Sequence, residues 1–272
     1  MGMRSLRFFR NGFRESGRGG QNHLPFYLGR NFSRFSPQVE EYRGLRTAVE
    51  LMSQGRDAKT ILITSPGPGE GKSTIVVNLG LLFWEFGRNV LLIDCDLRMP
   101  SLHKAFGLRN VRGITDLLAG NADASSVQSH VAEGFVVLPR GAAAPNPPVL
   151  FRSLAFREAL AFYREQADVI LVDSSPLLAV SDAIQIVPAA DVVLLVVQAG
   201  RTKRRDIVRA KKLLAAARAN LLGTVLNKVE PAEGHYYYRE PRYRHYFEDG
   251  QVTRDTAIRR IGPGPAGPGF GS

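Results

Sequence analysis

The sequence predicts an α/β fold in which a mostly parallel β-sheet is covered by helices on both faces. Short apolar runs rich in β-branched residues alternate along the chain with longer segments of helical periodicity. The apolar runs lack the in-and-out alternation of a half-exposed strand, which is typical of strands that are buried on both faces. This succession favours parallel strand pairing, and 272 residues are enough for one large domain of this kind.

The N-terminal half begins with a helix predicted over 37–52. Ser36 is placed to cap this helix, and Pro37 fits its first turn because the fixed φ of proline suits that position. Continuous apolar runs predict strands over 60–64, 89–93 and 135–138. Helical periodicity predicts the remaining helices of this half over 75–86, 102–106 and 114–118.

The C-terminal half continues the same alternation. Strong helix formers predict a helix over 150–166, after an Ala/Pro/Asn-rich loop over 141–148. Ser181 is placed to cap a helix that ends near Val187, and a basic helix is predicted over 203–218. Apolar runs predict the last strands over 168–172, 191–197 and 221–227.

Composition divides the chain into a basic arm over 1–36, a central domain over 37–230 and a tyrosine-rich tail over 231–272. The arm has seven arginines against one acid, and its Gly, Arg, Ser and Asn content predicts disorder. Phenylalanines between the arginines leave open a contact with anionic lipid or an acidic partner. The tail ends in a Gly/Pro-rich segment that is also predicted to be disordered.

The bulk properties argue against several classes of protein. The single cysteine, Cys95, excludes an intrachain disulfide framework and fits a reducing cytoplasm. We find neither an apolar run long enough to span a bilayer nor a secretory signal in the first residues. The net charge of +11 is compatible with nucleic acid, but the chain has no DNA- or RNA-binding motif, so no nucleic-acid partner is expected.

Residues 60–74 have the order of a phosphate-binding loop: a strand, glycines, Gly-Lys-Ser and a helix. Glycines let backbone N–H groups turn toward an anion, and the helix start adds its positive dipole end. Lys72 is expected to reach the outer phosphates, and the Ser73 hydroxyl to ligand Mg²⁺. A glycine turn that merely caps a helix is the alternative. The expected nucleotide-binding residues here are Gly67, Pro68, Gly69, Glu70, Gly71, Lys72, Ser73 and Thr74.

Polar side chains follow the predicted strands at their carboxyl ends, where parallel sheets bind ligands. Asp173 fits a Mg²⁺ ligand, because that ion takes one or two carboxylates together with phosphates and water. Asp94 and Asp96 are two residues apart, which in an extended chain points both to one side. One is expected to hold Mg²⁺, directly or through water, and the other to accept a proton. The alternative is that these aspartates only end strands and cap turns.

Two further patterns have both a functional and a structural interpretation. Glu40, Arg43 and Arg46 lie along one face of the first helix, where they serve either an interface or salt links on a solvated surface. Tyrosines cluster after the last strand, either as phosphate acceptors or as an aromatic docking segment. The clustered tyrosines are Tyr236, Tyr237, Tyr238, Tyr243 and Tyr246.

These motifs together resemble the bacterial tyrosine kinases of capsule and exopolysaccharide systems, over about residues 37–250. Residues 68–74 resemble the Walker A motif of that family, 91–98 its Walker A′ motif and 170–173 its Walker B motif. The resemblance implies a P-loop NTPase fold related to the MinD and ParA proteins. In those relatives a second lysine stands five residues before the Gly-Lys lysine, where this chain has Gly67. Asn227 is similar to their adenine-contacting asparagine.

The resemblance also implies partners and a location. The Glu-x-x-Arg-x-x-Arg helix packs protomers into a ring in that family, and the tyrosine cluster matches its autophosphorylated tail. Lack of membrane spans resembles the split form of the family, which implies a separate transmembrane chain-length-type activator. A phosphotyrosine phosphatase is a further expected partner. The expected location is cytoplasmic, at the inner face of the plasma membrane through the activator.

The resulting prediction is an ATP- and Mg²⁺-dependent protein-tyrosine autokinase that phosphorylates its tail in trans and regulates exopolysaccharide polymerisation and export. The expected catalytic residues are Lys72, Asp94, Asp96 and Asp173, and the expected metal ligands are Ser73, Asp94 and Asp173. Asp96 is the expected hydroxyl-orienting base. The alternative is a MinD/ParA-like ATPase switch that binds a membrane partner without tyrosine phosphorylation.

Overall fold

The computed structural model describes residues 37–53, 58–144 and 146–229. The predicted arm over 1–36 and the tail over 231–272 lie outside the described residues. The division into three parts therefore stays a prediction. The predicted acceptors also lie outside: Tyr236, Tyr237, Tyr238, Tyr243 and Tyr246.

A seven-stranded sheet forms the centre of the described part, in the order β3-β4-β2-β5-β1-β6-β7. Every neighbouring pair in it is parallel except β3 and β4, so the predicted mostly parallel sheet is confirmed. The strands are β1 Thr60–Thr64, β2 Val90–Cys95, β3 Ser129–Ala132, β4 Phe135–Leu138, β5 Val169–Ser174, β6 Val192–Gln198 and β7 Leu221–Asn227.

Helices cover both faces of this sheet, because successive residues of its central strands pack on opposite sides. Leu62 of β1 belongs to one apolar cluster, and its neighbours Ile61 and Ile63 belong to the other. No helix within 37–53, 58–144 or 146–229 has both the length and the apolar character needed to cross a bilayer. The helices are α1 Pro37–Ser53, α2 Lys72–Glu85, α3 Leu102–Ala105, α4 Ile114–Leu118, α5 Pro147–Arg152, α6 Leu154–Gln166, α7 Asp182–Ile186 and α8 Arg204–Ala216, with a 3-10 turn at Val187–Ala189.

Three features differ from the prediction. Ser181 precedes α7 as expected, but its side chain makes no capping hydrogen bond. The single helix expected over 150–166 is wrong, because Ser153 is extended and separates α5 from α6. The Ser153 hydroxyl accepts a hydrogen bond from Phe156 N at 3.3 Å and so caps α6. Strand β3 was not predicted, because Ser129–Ala132 has no apolar run and is only partly buried.

The sheet order brings the predicted functional segments together. Strand β5 lies between β1 and β2 in the sheet. The loop after β1 is therefore close to the carboxyl ends of β5 and β2. Asp94 of β2 and Asp173 of β5 are register partners, and Ile63 of β1 pairs with Asp173. The carboxyl ends of these three strands therefore form one edge, which the sequence predicted as the ligand site.

Candidate active site

A cavity of about 1180 Å³ lies between the phosphate-binding loop, α1 and the end of β7. Small-molecule sites in proteins are typically about 300–1,000 Å³, so this cavity has room for a nucleotide. The predicted residues that line it are Gly69, Gly71, Lys72, Ser73, Thr74 and Asn227. Side chains of α1, Tyr42 and Leu45 among them, form part of its wall.

The phosphate-binding loop has the backbone that anion binding requires. Gly69 and Gly71 have φ values of 75° and 98°, in the left-handed region that favours glycine. The loop is braced internally, because Gly67 N donates to Glu70 Oε1 at 3.1 Å. Gly71 precedes α2 and supplies no side-chain cap, so the first N–H groups of that helix are open to an anion.

Two residues at the end of β7 donate hydrogen bonds to the backbone of this loop. Asn227 Nδ2 donates to the carbonyl oxygen of Glu70 at 2.8 Å, and Lys228 Nζ donates to that of Gly69 at 2.7 Å. Asn227 was predicted to contact the nucleotide; Lys228, which also lines the cavity, was not predicted. The only sequence signal for Lys228 is its place directly after Asn227 at a strand end.

Two carboxylates are fully buried beside the loop. Asp94 Oδ2 accepts hydrogen bonds from the backbone N–H groups of Ser101 at 2.9 Å and Leu102 at 3.0 Å. Within the described part of the chain, Asp94 Oδ1 and both carboxylate oxygens of Asp173 have no hydrogen-bond partner. Neither residue lines the cavity itself, but Ser73 and Ser101 do.

Burial dominates the electrostatics of this pair. It raises the pKa of Asp94 above the ordinary range, and the charge of Asp173 raises it further. Burial also raises the pKa of Asp173, although nearby Lys72 and the Ser73 hydroxyl act in the opposite direction. Two buried carboxylates that repel each other favour a bound cation, since a cation would relieve both costs.

The donor set fits Mg²⁺ held partly by a nucleotide. In the described ranges, no three His, Cys, Asp or Glu side chains are grouped as a metal site of their own. Mg²⁺ usually takes one or two carboxylates and completes its shell with phosphate oxygens and water. Asp94 and Asp173, with unpartnered oxygens, and the Ser73 hydroxyl match this mode of binding.

Asp96 follows the last residue of β2 and is 8% exposed. Its Oδ1 accepts a hydrogen bond from Met99 N at 3.0 Å. Its charge is among the causes that raise the pKa of Asp94 and of Asp173, so the three carboxyls form one electrostatic group. Arg98 anchors the segment after it through hydrogen bonds of 2.7 and 3.3 Å to the buried Asp182.

The predicted interface residues of α1 are engaged within the chain. Arg43 pairs with Glu40, and Arg46 pairs with Glu50. The Arg46 guanidinium also lies 3.7 Å from the centroid of the Phe86 ring, and the residue is 8% exposed. The structural alternative, ion pairs along the helix, is therefore realised for Glu40 and Arg43. A role of the three residues in a ring stays a prediction.

Comparison with known proteins identifies relatives of this chain. Residues 61–254 match the family model of the CobQ/CobB/MinD/ParA nucleotide binding domain. The chain is 38% identical to the tyrosine-protein kinase YwqD of Bacillus subtilis over 202 residues, which are 73% of this chain and 85% of that protein.

Solved structures agree with these relatives. The kinase domain of the Escherichia coli tyrosine kinase ETK superposes with a TM-score of 0.67 at 29% identity, covering 71% of this chain and 77% of that one. The septum site-determining protein MinD of Pyrococcus horikoshii, complexed with Mg-ADP, superposes with a TM-score of 0.55 at 26% identity, covering 64% and 72%. The predicted fold class and the predicted family are confirmed.

Proposed function

The chain belongs to the family of bacterial tyrosine-protein kinases, and we propose that it transfers the γ-phosphate of ATP to tyrosines of its own C-terminal segment. The observation that carries this proposal is the pair Asp94 and Asp173. Both are fully buried beside Lys72 and the phosphate loop, with unpartnered oxygens that fit Mg²⁺. A phosphate loop with such a pair is suited to phosphoryl transfer, in which positioning and charge neutralisation do most of the work.

The residues have distinct roles in the proposed reaction. Backbone N–H groups of the loop and Lys72 hold the β- and γ-phosphates, while Ser73, Asp94 and Asp173 provide the Mg²⁺ ligands. When bound, Mg²⁺ supplies positive charge that neutralises the phosphate oxygens. Asp96 orients the tyrosine hydroxyl and accepts its proton. The tyrosine oxygen forms its bond to the γ-phosphorus as the bond to the bridging oxygen breaks, and ADP leaves.

We infer that the acceptor tyrosines come from a neighbouring copy of the chain. The tail follows β7, whose end forms part of the rim of the chain's own cavity. A chain that leaves from this rim must reverse its direction to enter the same site, whereas it can run directly into the site of a neighbour. Helix α1 borders the cavity as well, so a neighbour that contacts Glu40, Arg43 and Arg46 would lie beside it. A homo-oligomeric ring built on α1 fits transfer in trans.

Phosphorylation would then regulate assembly. Each phosphate adds about −1.5 to −2 charge, which would turn a near-neutral tail into an acidic one and loosen the ring. We propose that this cycle controls exopolysaccharide polymerisation and export. A transmembrane chain-length-type protein would activate the kinase and place it at the inner face of the plasma membrane, and a phosphotyrosine phosphatase would reset it.

A second candidate is an ATPase switch that releases phosphate to water. The matched nucleotide-binding domain, which includes MinD and ParA proteins, favours it. In that case the tyrosines would be docking residues, and the membrane partner would respond to the bound nucleotide alone.

The deciding experiment is incubation of the full chain in Mg-ATP, with and without the cytoplasmic segment of a candidate activator, followed by detection of phosphotyrosine. Labelling of the tail, abolished by Lys72→Met, is expected. Phosphate released to water with no labelled tyrosine under either condition would refute the kinase proposal.

Transfer in trans has its own test. The Lys72→Met chain is mixed with an active chain in which all five tail tyrosines are phenylalanine. Labelling of the Lys72→Met chain is expected, because only that chain carries acceptors. An unlabelled tail in the mixture, with a labelled tail in the unsubstituted chain, would contradict transfer between copies.

A further inference from the structure

The phosphate loop is held by a strand that is not its sheet neighbour. Strand β6 separates β7 from β1, yet the last residue of β7 and the residue after it contact the loop that follows β1. We name Asn227 and Lys228 the β7 latch. Lys228 Nζ also donates to Gln198 Oε1 at the end of β6, at 3.4 Å, so the latch joins three segments.

The latch acts on two consecutive peptide groups. Lys228 binds the carbonyl oxygen of Gly69, and Asn227 binds that of Glu70. In a planar trans peptide the C=O and the N–H point in opposite directions. Holding these two carbonyl oxygens toward the latch therefore turns the N–H groups of Glu70 and Gly71 to a common side, and successive N–H groups that share a side can bind an anion.

Local geometry indicates that this contact is maintained at a cost. Lys228 has φ 56°, a left-handed conformation that is uncommon for a residue with a side chain. On the loop side, a Cβ on Gly71 would lie 2.1 Å from Asn227 Nδ2, so the close approach requires glycine. The backbone on both sides of the contact is thus shaped around it.

We propose that the β7 latch holds the phosphate loop in its anion-binding form before the nucleotide arrives, which makes Lys228 a positioning residue for nucleotide affinity. The inference deepens the proposed function, because it rests on the same nucleotide site. A loop that is ordered in advance loses less conformational freedom on binding, so the latch raises affinity. The latch needs no acceptor tyrosine, and it works equally if phosphate passes to water.

The direct test is equilibrium titration of the full chain with a fluorescent ADP analogue. Lys228→Met removes a charge-assisted hydrogen bond, so about tenfold weaker binding is expected. Lys228→Arg keeps a donor and should restore most of the affinity. Lys211→Met, an exposed lysine of α8, is the matched control and should bind as the unsubstituted chain does. Equal affinity of the Lys228→Met and unsubstituted chains would overturn the proposal.

Kinetics separate positioning from a purely structural role. Loss of loop order affects ground state and transition state alike, so Lys228→Met should raise the KM for ATP about tenfold with kcat within about twofold. A lower kcat at unchanged KM would overturn the proposal. The KM is measurable from phosphate release whether the acceptor is tyrosine or water, so failure of the tyrosine-kinase proposal leaves this result readable.

A second variant tests the proposal in case Lys228→Met does not fold. Lys228→Gly also removes the side chain but suits the left-handed backbone, so the chain should keep its melting temperature. Its ADP affinity should fall by the same tenfold. A Lys228→Gly chain that melts normally and binds ADP as tightly as the unsubstituted chain would overturn the latch even if Lys228→Met does not fold.

Discussion

The two sides of the phosphate loop are built in opposite ways. On the side of β2 and β5, Asp94 and Asp173 are fully buried and leave three carboxylate oxygens without a partner in the part of the chain that is described. On the side of β7, Asn227 and Lys228 are paired with loop carbonyl oxygens. The carboxylate oxygens of the first side therefore need bound ligands as partners, whereas the donors of the second side have acceptors within the chain.

This difference indicates a division of labour. The carboxylate side loses stability in the ligand-free protein because it keeps negative charge out of water. The β7 side gains order, because each of its donors already has an acceptor. Substitutions on the carboxylate side should therefore trade catalysis against stability, whereas substitutions on the β7 side should weaken nucleotide binding without any gain in stability.

The largest effect is expected for Asp173→Asn. Tyrosine phosphorylation should fall by about 10²–10³-fold, because the substitution removes a charged group that contributes to electrostatic stabilisation of the transition state. The ligand-free chain should gain about 1–4 kcal/mol of unfolding free energy, because a buried charge and its repulsion with Asp94 disappear. Phosphotyrosine assays and urea unfolding measure the two effects. A less stable variant would contradict the inference that this side loses stability when no ligand is bound.

The pH dependence of stability should distinguish the same side. Burial raises the folded-state pKa of Asp94 and Asp173, so the folded chain holds protons that the unfolded chain has released. Without metal, this contribution is present at low pH and is lost as pH rises through the raised folded pKa values. The melting temperature of Asp173→Asn should therefore fall less between acid and neutral pH.

The control for this pH effect is Asp123→Asn, which removes a carboxylate from the loop before β3, away from the buried pair. Its melting curve should follow the unsubstituted chain at every pH. If the melting temperatures of Asp173→Asn and the unsubstituted chain change in parallel with pH, the buried pair does not determine the pH dependence of stability. Addition of Mg²⁺ and nucleotide should raise the melting temperature of the unsubstituted chain more than that of Asp173→Asn.

On the β7 side, Gly71→Ala should destabilise the chain by about 1–3 kcal/mol and weaken nucleotide binding. The new Cβ meets Asn227 Nδ2 at 2.1 Å, and φ is 98°. Gly120→Ala is the matched control, because Gly120 has φ 74° but a Cβ added there would meet no atom within 4 Å. The Gly120→Ala control should lose stability but keep its nucleotide affinity. Equal binding by both variants would show that displacing Asn227 has no effect on the loop.

The smallest effect is expected for Phe86→Leu, a substitution outside the cavity. The variant removes the ring against which Arg46 stacks and should cost about 0.5–1 kcal/mol of unfolding free energy. Nucleotide affinity should not change, because neither residue lines the cavity. Urea unfolding and the ADP titration measure both quantities. Weakened ADP binding would show that α1 also positions the loop.

Local sequence patterns were sufficient for the central strands and for the phosphate loop. Strand β1 has the predicted bounds, because five consecutive buried residues leave a continuous apolar run in the sequence. Asp94 and Asp173 were placed at strand ends for the same reason, and the parallel sheet brings those ends together. These features depend on contacts that every parallel sheet of this kind makes.

The features that sequence reasoning missed depend on individual tertiary contacts. The latch of Lys228 joins residues 159 positions apart, and nothing local to a lysine after a strand indicates which carbonyl it binds. No individual partner was predicted for Arg46, which pairs with Glu50 one turn further on and stacks on Phe86, the residue that follows α2. Ser153 divides a segment that its composition describes as one helix.

The end of β7 at the rim of the cavity also fixes where the tail starts, and so acts as the anchor of a tether. Tyr236 is seven residues beyond Val229, so its reach from the anchor is at most about 25 Å. Tyr246 is seventeen residues beyond Val229 and reaches about 60 Å. Within such radii an acceptor has a local concentration in the millimolar range. If transfer occurs in trans as proposed, the spacing between neighbouring cavities would therefore select which tyrosines are phosphorylated, and Tyr236 would require the closest neighbours.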